Sequence, residues 1–271
     1  MQTNTWDFPV EKKPMFFLND QGGYNEIRGK KAIVRTDSDD QISVVSNGYK
    51  VVPHTDVLAH LDPFVQQFGD HSRQVAVSDN GGRMMATFTF RNVVKDVKVG
   101  DTVGFGLKAI SGYDGKTAIK LAAWSLRLIC LNGMASQKGF VSAHYRHNEK
   151  QVSDIRFPTP DFFLETFQSD VNYWSALAEL GITNEDRERL EYNISLTPGL
   201  LSPNQFGAVK SRLDEAETAW DSYNALTWFL THKTQANEFT THSRLGKVND
   251  VITTSLVEKK TLTALEEIID A

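Results

Sequence analysis

The stretch WSLRLICLNGMASQKG, residues 124–139, poses the main question about the fold. Together with the TAIKLAA run before it, its apolar residues predict a strand over residues 117–133 that ends at an Asn-Gly pair. Arg127 lies in the middle of that strand, where a lone buried charge is costly. Two interpretations stay open. Arg127 pairs with an acidic side chain of the C-terminal helices, or it faces a wet groove whose positive charge continues at Lys138.

Strand signals precede this segment in several places. KAIVRTD (31–37) and QISVVSNGYKVV (41–52) are rich in β-branched residues and flank a turn of aspartates, so they predict a hairpin. RQVAVSD (73–79) and GRMMATFTF (82–90) flank an Asn-Gly pair and predict a second hairpin. VGFGLKAIS (103–111) predicts a further strand.

A helix is predicted between the two hairpins. Apolar residues recur at helical spacing over residues 55–69, with Thr55 as the N-cap, Gly69 as the stop and Pro63 as a kink. Residues 1–30, with their prolines and paired glycines, are predicted to be a loop-like arm.

Helical spacing dominates after residue 158. Apolar residues recur every three or four positions in FFLETFQSDVNYWSALAEL, NEDRERLEYNI, PNQFGAVKSRLDEAETAWDSYNALTWFLTHK and LTALEEIID. The order of elements predicts an α+β protein with a curved antiparallel β-sheet (hairpin, helix, three strands) backed by helices. We divide the chain into an N-terminal arm (1–30), a β-rich core domain that is the candidate for nucleic-acid binding (31–157), and a helical, acidic C-terminal region (158–271).

The net charge of −5 hides an asymmetry along the chain. Residues 1–157 contain 20 Lys and Arg against 16 Asp and Glu, whereas residues 158–271 contain 9 against 18. Residues 116–156 contain seven basic residues and only two acidic ones, Glu149 and Asp154. Such a split is typical of a polyanion-binding surface beside an acidic segment, and solvated charges without any partner also produce it.

Composition indicates a cytoplasmic protein that does not bind membranes. The first residues lack the basic and apolar regions of a secretion signal, and no apolar run approaches the ~20 residues of a membrane helix. Cys130 is the sole cysteine, so it has no internal disulfide partner. We expect Cys130 to be a small buried hydrophobic residue in a protein of a reducing compartment.

The sequence contains no convincing catalytic constellation. The P-loop and nucleophile-elbow motifs are absent, and Asp37, Asp39 and Asp40 are explained by a hairpin turn. His144 and His147 lie three residues apart, which leaves a metal-dependent nucleic-acid enzyme as a minor alternative. We predict a protein that is not an enzyme and has no catalytic residue, metal or other cofactor.

Cationic and aromatic residues alternate between Lys108 and Arg156. Phosphates bind Lys and Arg, and unpaired bases stack on flat rings, so this pattern is typical of a groove for single-stranded nucleic acid. The alternative is that the aromatic residues belong to the core. We predict nine phosphate-binding cations and two stacking tyrosines: Arg83, Arg91, Lys108, Lys116, Lys120, Arg127, Lys138, Arg146 and Lys150, with Tyr113 and Tyr145.

Several blocks resemble a family of phage, prophage and plasmid proteins known as a domain of unknown function. The blocks are NGYKVVPHTD…LDPF, GGRMMATFTF, LKAISGYDGKTAIKLAAWSLRLICLNGM and TAWDSYNALTWFLTH…RLGKVNDVI. In the family they correspond to a helix entry, a G-G-R strand, a glycine-rich turn, an R-[IL]-x-C-x-N strand end and a Y-N-x-L-T helix. The resemblance spans about residues 47–252 and departs from the pattern at His54, where the family more often has Asn.

The resemblance implies a role near phage replication and recombination. The predicted order of elements is also similar to the core of single-strand annealing proteins of the RecT, Redβ and Erf kind, which hold DNA in a positive groove of a ring or filament. It implies a single-stranded DNA-binding and annealing protein that forms a homo-oligomer in the host cytoplasm and has a phage exonuclease or host replication protein as a further partner. The alternative is a phage accessory protein that binds a host or phage protein through its acidic helical half.

Overall fold

The computed structural model describes residues 6–78, 80–139, 141–142, 147 and 152–258. Their strands and helices confirm the predicted α+β class. The strands are β1 (Val10–Leu18), β2 (Tyr24–Arg35), β3 (Gln41–Ser46), β4 (His71–Val77), β5 (Arg83–Lys98), β6 (Asp101–Gly112), β7 (Lys120–Arg127), β8 (Asn132–Ala135) and β9 (Val141–Ser142). The helices are α1 (His54–Val65), α2 (Pro160–Glu179), α3 (Asn184–Leu196), α4 (Pro203–Asp214), α5 (Ala219–His232) and α6 (Glu238–Ile252).

The strands form two antiparallel sheets. One has the order β1-β2-β3, and the other has the order β4-β5-β6-β7-β8, with β9 paired to β7. Both predicted hairpins are confirmed, because Ala32 pairs with Val44 and Val77 pairs with Met84. Gly81 has a φ of +73° in the second turn, a conformation that glycine adopts without strain. The curvature of the sheet stays a prediction.

The chain divides into two compact units, each discontinuous in sequence. Unit 1 comprises Met1–Phe90, Leu107–Ala122 and Phe140–Phe163, and unit 2 comprises Arg91–Gly106, Ala123–Gly139 and Leu164–Ala271. The division into an arm, a β-rich domain and a helical region follows the sequence rather than these contacts, and it stays a prediction.

Unit 1 is built around a cluster of buried aromatic and β-branched residues. The cluster comprises Phe8, Ile33, Ile42, Val45, Tyr49 and Tyr113. The predicted loop-like arm is wrong, because residues 10–18 form β1 and pair with β2 from Tyr24 onward. Its prolines do not prevent this pairing, because β1 is an edge strand and its register shifts beside Pro14.

Helix α1 starts two residues earlier than predicted, because a cap at Thr55 would have made Asp56 its first residue. Its first residue is His54 and its N-cap is Pro53, so the expectation of a Thr55 cap is wrong. Pro63 lies inside the helix, and the chain tightens into a 3₁₀ turn over Gln66–Phe68 before Gly69. The predicted stop at Gly69 is confirmed, since this glycine has a φ of +94°.

The predicted strand over residues 117–133 is wrong at its C-terminal end. Strand β7 ends at Arg127, the chain reverses through residues 128–131, and β8 pairs back so that Arg127 lies opposite Asn132. The turn contains apolar residues, which is why the sequence pattern did not reveal it. Leu131, with a φ of +53°, completes the reversal.

The helices of unit 2 begin at side-chain caps. The predicted helical segment 203–233 is two helices, because Thr218 and Asp221 form a capping box that starts α5. Capping boxes at Thr183 and Ser202 start α3 and α4 in the same way. The predicted segment LTALEEIID lies outside the described residues. Among the residues that the structure describes, no helix is both long and apolar enough to cross a membrane.

Candidate functional site

A cleft of about 270 Å³ opens in unit 2 between the β7–β8 turn and helices α4 and α5. We call it the Arg127 cleft. The lining side chains that matter for its chemistry are Arg127, Cys130, Asn132, Arg212, Asn224 and Trp228. The β7–β8 hairpin supplies the first three residues, α4 supplies Arg212, and α5 supplies the last two.

Arg127 is fixed at one wall of the cleft by Asp101, the first residue of β6. Its Nε and Nη2 donate to the two carboxylate oxygens of Asp101, each at 2.6 Å, and the indole Nε1 of Trp220 donates to the same carboxylate at 2.8 Å. Burial alone would raise the pKa of Asp101, but the bonds from Arg127 and Trp220 lower it below its usual range. The sequence predicted either a partner from the C-terminal helices or a groove-facing Arg127. The first expectation is wrong, because the acidic partner lies in the sheet.

Two buried amides in the lining lack hydrogen-bond partners among the described residues. Asn132 is fully buried, and neither its Nδ2 nor its Oδ1 has a partner. Asn224 donates its Nδ2 to the carbonyl of Trp220 at 2.8 Å, but its Oδ1 has no partner. Buried polar groups are normally paired, so these three atoms are the chemically unusual feature of the cleft.

Arg212 and Trp228 form a stacked pair beside these amides. The guanidinium carbon of Arg212 lies 3.7 Å from the centroid of the Trp228 ring, and the Nζ of Lys233 lies 5.3 Å from the same centroid. This contact holds the exposed Arg212 side chain flat at the mouth of the cleft. Glu215 and Asp221 also line the cleft, and because Asp101 neutralises Arg127, they outnumber the remaining cation, Arg212.

Cys130 lies in the turn at the rim and is only partly buried. The expectation of a small buried core residue is therefore wrong. The Nη1 of Arg127 contacts its Sγ at 3.4 Å, and the Nε2 of His232 lies 2.8 Å from its carbonyl oxygen. The first contact ties the apolar turn to the end of β7, and the second attaches it to helix α5.

Tyr113 was predicted to stack on bases at the surface, and this is wrong. It is 1% exposed and belongs to the core of unit 1, with its ring stacked on His54 at 4.0 Å between centroids. Its hydroxyl accepts the backbone N–H of His54 at 2.7 Å and so satisfies a donor at the start of α1. The neighbouring Gly112 is required by packing, because a Cβ at this position would lie 2.7 Å from the Cβ of Thr117.

Lys108 is 4% exposed, so its predicted role as a surface phosphate contact is also wrong. The other described cations of the predicted set differ in exposure. Arg91, Lys116 and Lys138 are exposed, whereas Arg83 and Lys120 are half-buried. Arg83, Lys116 and Lys120 belong to unit 1, and Arg91 and Lys138 belong to unit 2.

Tyr145, Arg146 and Lys150 lie outside the described residues, as does His144. His147 stacks on Tyr49 at 4.7 Å between ring centroids, and its two nitrogens lie 3.2 Å from the carbonyl oxygens of Lys50 and Thr117. Within the described part of the chain, no three His, Cys, Asp or Glu side chains come close enough to hold a metal ion. The metal-dependent alternative stays a prediction.

Comparison with known protein families assigns the chain. The family described as a domain of unknown function (DUF932) matches residues 41–252. The chain belongs to the DUF932 family. No curated protein matches the chain, and no solved structure matches it.

The blocks that carry the DUF932 resemblance meet at two places in the structure. Arg127, Cys130 and Asn132 of the RLICLN block and Asn224 of the YNALT block all line the Arg127 cleft. In unit 1, Tyr49 donates its hydroxyl hydrogen to the carbonyl of Gly112 at 2.8 Å, which joins the first and third blocks. The family pattern therefore contributes to one packed core and to one open cleft.

The sequence did not single out four residues of the cleft. Asn132 and Asn224 are ordinary amides in the sequence, and Arg212 and Trp228 lie 16 positions apart on different helices. The available signal was the pair of polar motif positions in R-[IL]-x-C-x-N and Y-N-x-L-T. These place amides in otherwise apolar segments, where a buried polar group requires a partner.

Proposed function

We propose that this DUF932 protein binds single-stranded DNA and anneals it during phage recombination or replication. The observation that carries the proposal is a pair of exposed cations on the C-terminal half of β5. Arg91 and Lys95 are exposed and lie four residues apart, so they share one face of the strand at a separation of about 13 Å at ~3.3 Å per residue. Cations spaced along an extended strand suit a polyanionic chain without base specificity.

Further support comes from the order of the elements. The β2–β3 hairpin is followed by α1, by strands β4 to β9 and then by helices α2 to α6. A hairpin, then a helix, then strands is the order that motivated the comparison with single-strand annealing proteins, and annealing requires no bond chemistry. The phage setting rests on the resemblance described above.

Assembly into a ring or filament is part of the proposal. Unit 1 exposes Phe16, Phe17 and Tyr24 on the β1–β2 hairpin, and unit 2 exposes Ile129 and Leu131 on the β7–β8 turn. Contacts between two different patches on successive copies are heterologous, and heterologous contacts generate rings or filaments. Phe16→Ser with Phe17→Ser is expected to reduce the mass measured by light scattering, with Tyr192→Ser, which removes an exposed ring from α3, as the control.

Fluorescence anisotropy with a labelled strand of about 30 nucleotides tests the binding proposal. The logarithm of affinity should fall with the logarithm of salt concentration, at a slope of about −0.7 per phosphate contact. Arg91→Gln with Lys95→Gln should weaken binding and reduce that slope by about 1.4.

The control is Lys210→Gln, which removes an exposed cation that Glu191 and Asp214 already neutralise, and it should leave the slope unchanged. Absence of binding at micromolar protein would overturn the proposal. The accessory protein that binds a partner protein would then be the better hypothesis.

A further inference from the structure

We propose that the Arg127 cleft holds one unpaired nucleobase of the bound strand. This inference rests on the proposed function and adds a subsite to it. The cations of β5 bind phosphates, which every nucleotide carries, whereas this subsite contacts the base itself.

The unpaired amides supply the hydrogen bonds that a base edge requires. Asn132 offers a donor and an acceptor side by side, and Asn224 offers a further acceptor through Oδ1. A nucleobase presents donors and acceptors on one planar edge, and an Asn amide can bind such an edge with two hydrogen bonds. A base in the cleft would offer partners to the three unpaired amide atoms of its lining.

The stacked pair at the mouth supplies a flat surface. Arg212 lies against Trp228 at 3.7 Å, so one face of its guanidinium is covered and the side chain is held in place. Bases stack on guanidinium planes as they do on aromatic rings. Arg212 therefore presents a preorganised surface beside the two amides.

The charge of the cleft favours a neutral group over a phosphate. Arg127 is neutralised by Asp101, and Glu215 and Asp221 oppose Arg212 in the lining. A phosphate in the cleft would meet the carboxylates of Glu215 and Asp221, and Arg212 would be the single lining cation without an ion-pair partner among the described residues to offset them. A base carries no charge at neutral pH, and the volume of about 270 Å³ has room for one base with its sugar.

The test compares two labelled strands of about 30 nucleotides, one of thymidines and adenosines and one with the same phosphates but abasic at every position. The wild-type protein should bind the complete strand about tenfold more tightly, since stacking and hydrogen bonding of even one base add to the binding free energy. Asn132→Leu should bring the complete strand to the affinity of the abasic strand and leave the abasic affinity unchanged. It should also raise the melting temperature by ~2–4 °C, because a buried unpaired amide is removed.

Arg212→Gln keeps the test decisive if Asn132→Leu does not fold, because Arg212 is exposed. It should lose most of the preference for the complete strand. Lys210→Gln, on the same helix and with the same loss of charge, should retain the preference.

Three results would overturn the inference. Equal wild-type affinity for the two strands would show that the cleft takes no base, while the proposed function would stand. A lower melting temperature for Asn132→Leu would show that the amide serves the fold. Failure of the wild-type protein to bind either strand would overturn the proposed function and this inference together.

Discussion

Arg127 and Asp101 form a bidentate ion pair that joins the end of β7 to the start of β6. The side chain of Asp101 is 3% exposed and that of Arg127 is 20% exposed, so the pair is largely shielded from water. Trp220 donates to the same carboxylate, and the guanidinium carbon of Arg127 lies 5.8 Å from the centroid of its ring. The charge that the sequence left unexplained is therefore part of the framework of unit 2 and also lines its cleft.

Removing one partner of this pair should destabilise the protein strongly. We expect Arg127→Met to lower the free energy of unfolding by about 3 kcal/mol or more, because Asp101 is left buried without its counter-ion. Adding Asp101→Asn should recover most of the loss. Arg73→Met, which breaks the partly exposed pair with Asp62, should cost less than about 1 kcal/mol. Urea unfolding of the wild type, the two single variants and the double variant measures these losses. Equal losses for Arg127→Met and Arg73→Met would contradict a structural role for the Arg127–Asp101 pair.

Tyr113→Phe separates the core role of this residue from DNA binding. The substitution keeps the ring but leaves the buried N–H of His54 without its acceptor, so we expect a loss of about 1–3 kcal/mol in unfolding free energy. Affinity for single-stranded DNA should not change. Tyr24→Phe, at a residue that is 76% exposed, should be neutral in stability. A Tyr113→Phe protein of normal stability would show that the hydroxyl is not needed to satisfy the buried N–H of His54.

His54 should make the protein less stable as the pH falls. Burial lowers its pKa to about 4, and the acceptor carbonyl of Gly81 only partly opposes this. Above pH 6.5 His54 is neutral in both states. Between pH 6.5 and about 4 only the unfolded state binds the proton, so stability decreases by up to about 3 kcal/mol across this window. The difference in unfolding free energy between wild type and His54→Asn should show this slope, and a parallel pH profile for the two proteins would refute it.

Asp170 should have the opposite effect to His54 and make the protein more stable as the pH falls. Burial raises its pKa to about 6, although the Ser136 hydroxyl and the backbone N–H of Gln137 both favour its ionised form. At pH 7 the folded state holds a disfavoured carboxylate, and stability is gained as the pH falls from about 6 to about 4. Asp170→Asn should therefore raise the unfolding free energy by about 3 kcal/mol at pH 7.5, with the advantage vanishing near pH 4. Thermal denaturation of both proteins across this pH range measures the difference in stability. A difference that does not change with pH would contradict the raised pKa of Asp170.

Local features of the fold could be predicted because their causes are local. The hairpin at Asn80-Gly81 follows from a turn with positive φ between two strands of alternating apolar and polar residues. The helix stop at Gly69 likewise follows from a positive φ that glycine adopts without strain. Three helices begin at capping boxes, in which the N-cap residue and the residue three positions later exchange hydrogen bonds. The N-caps are Thr183, Ser202 and Thr218. The Thr218–Asp221 signal was present in the sequence and could have divided the long helical segment correctly.

The sequence by itself determined the α+β class, the two hairpins and the polar side chains available to a site. Tertiary structure alone decided which of those side chains are accessible and which are paired. Tyr113 looked exposed beside glycines, yet Phe8 and His54 cover it. Arg127 meets Asp101 from 26 positions away and Trp220 from still farther along the chain. The physical reason is that turns and caps are satisfied within a few residues, whereas burial and ion pairing depend on elements that only the folded chain brings together.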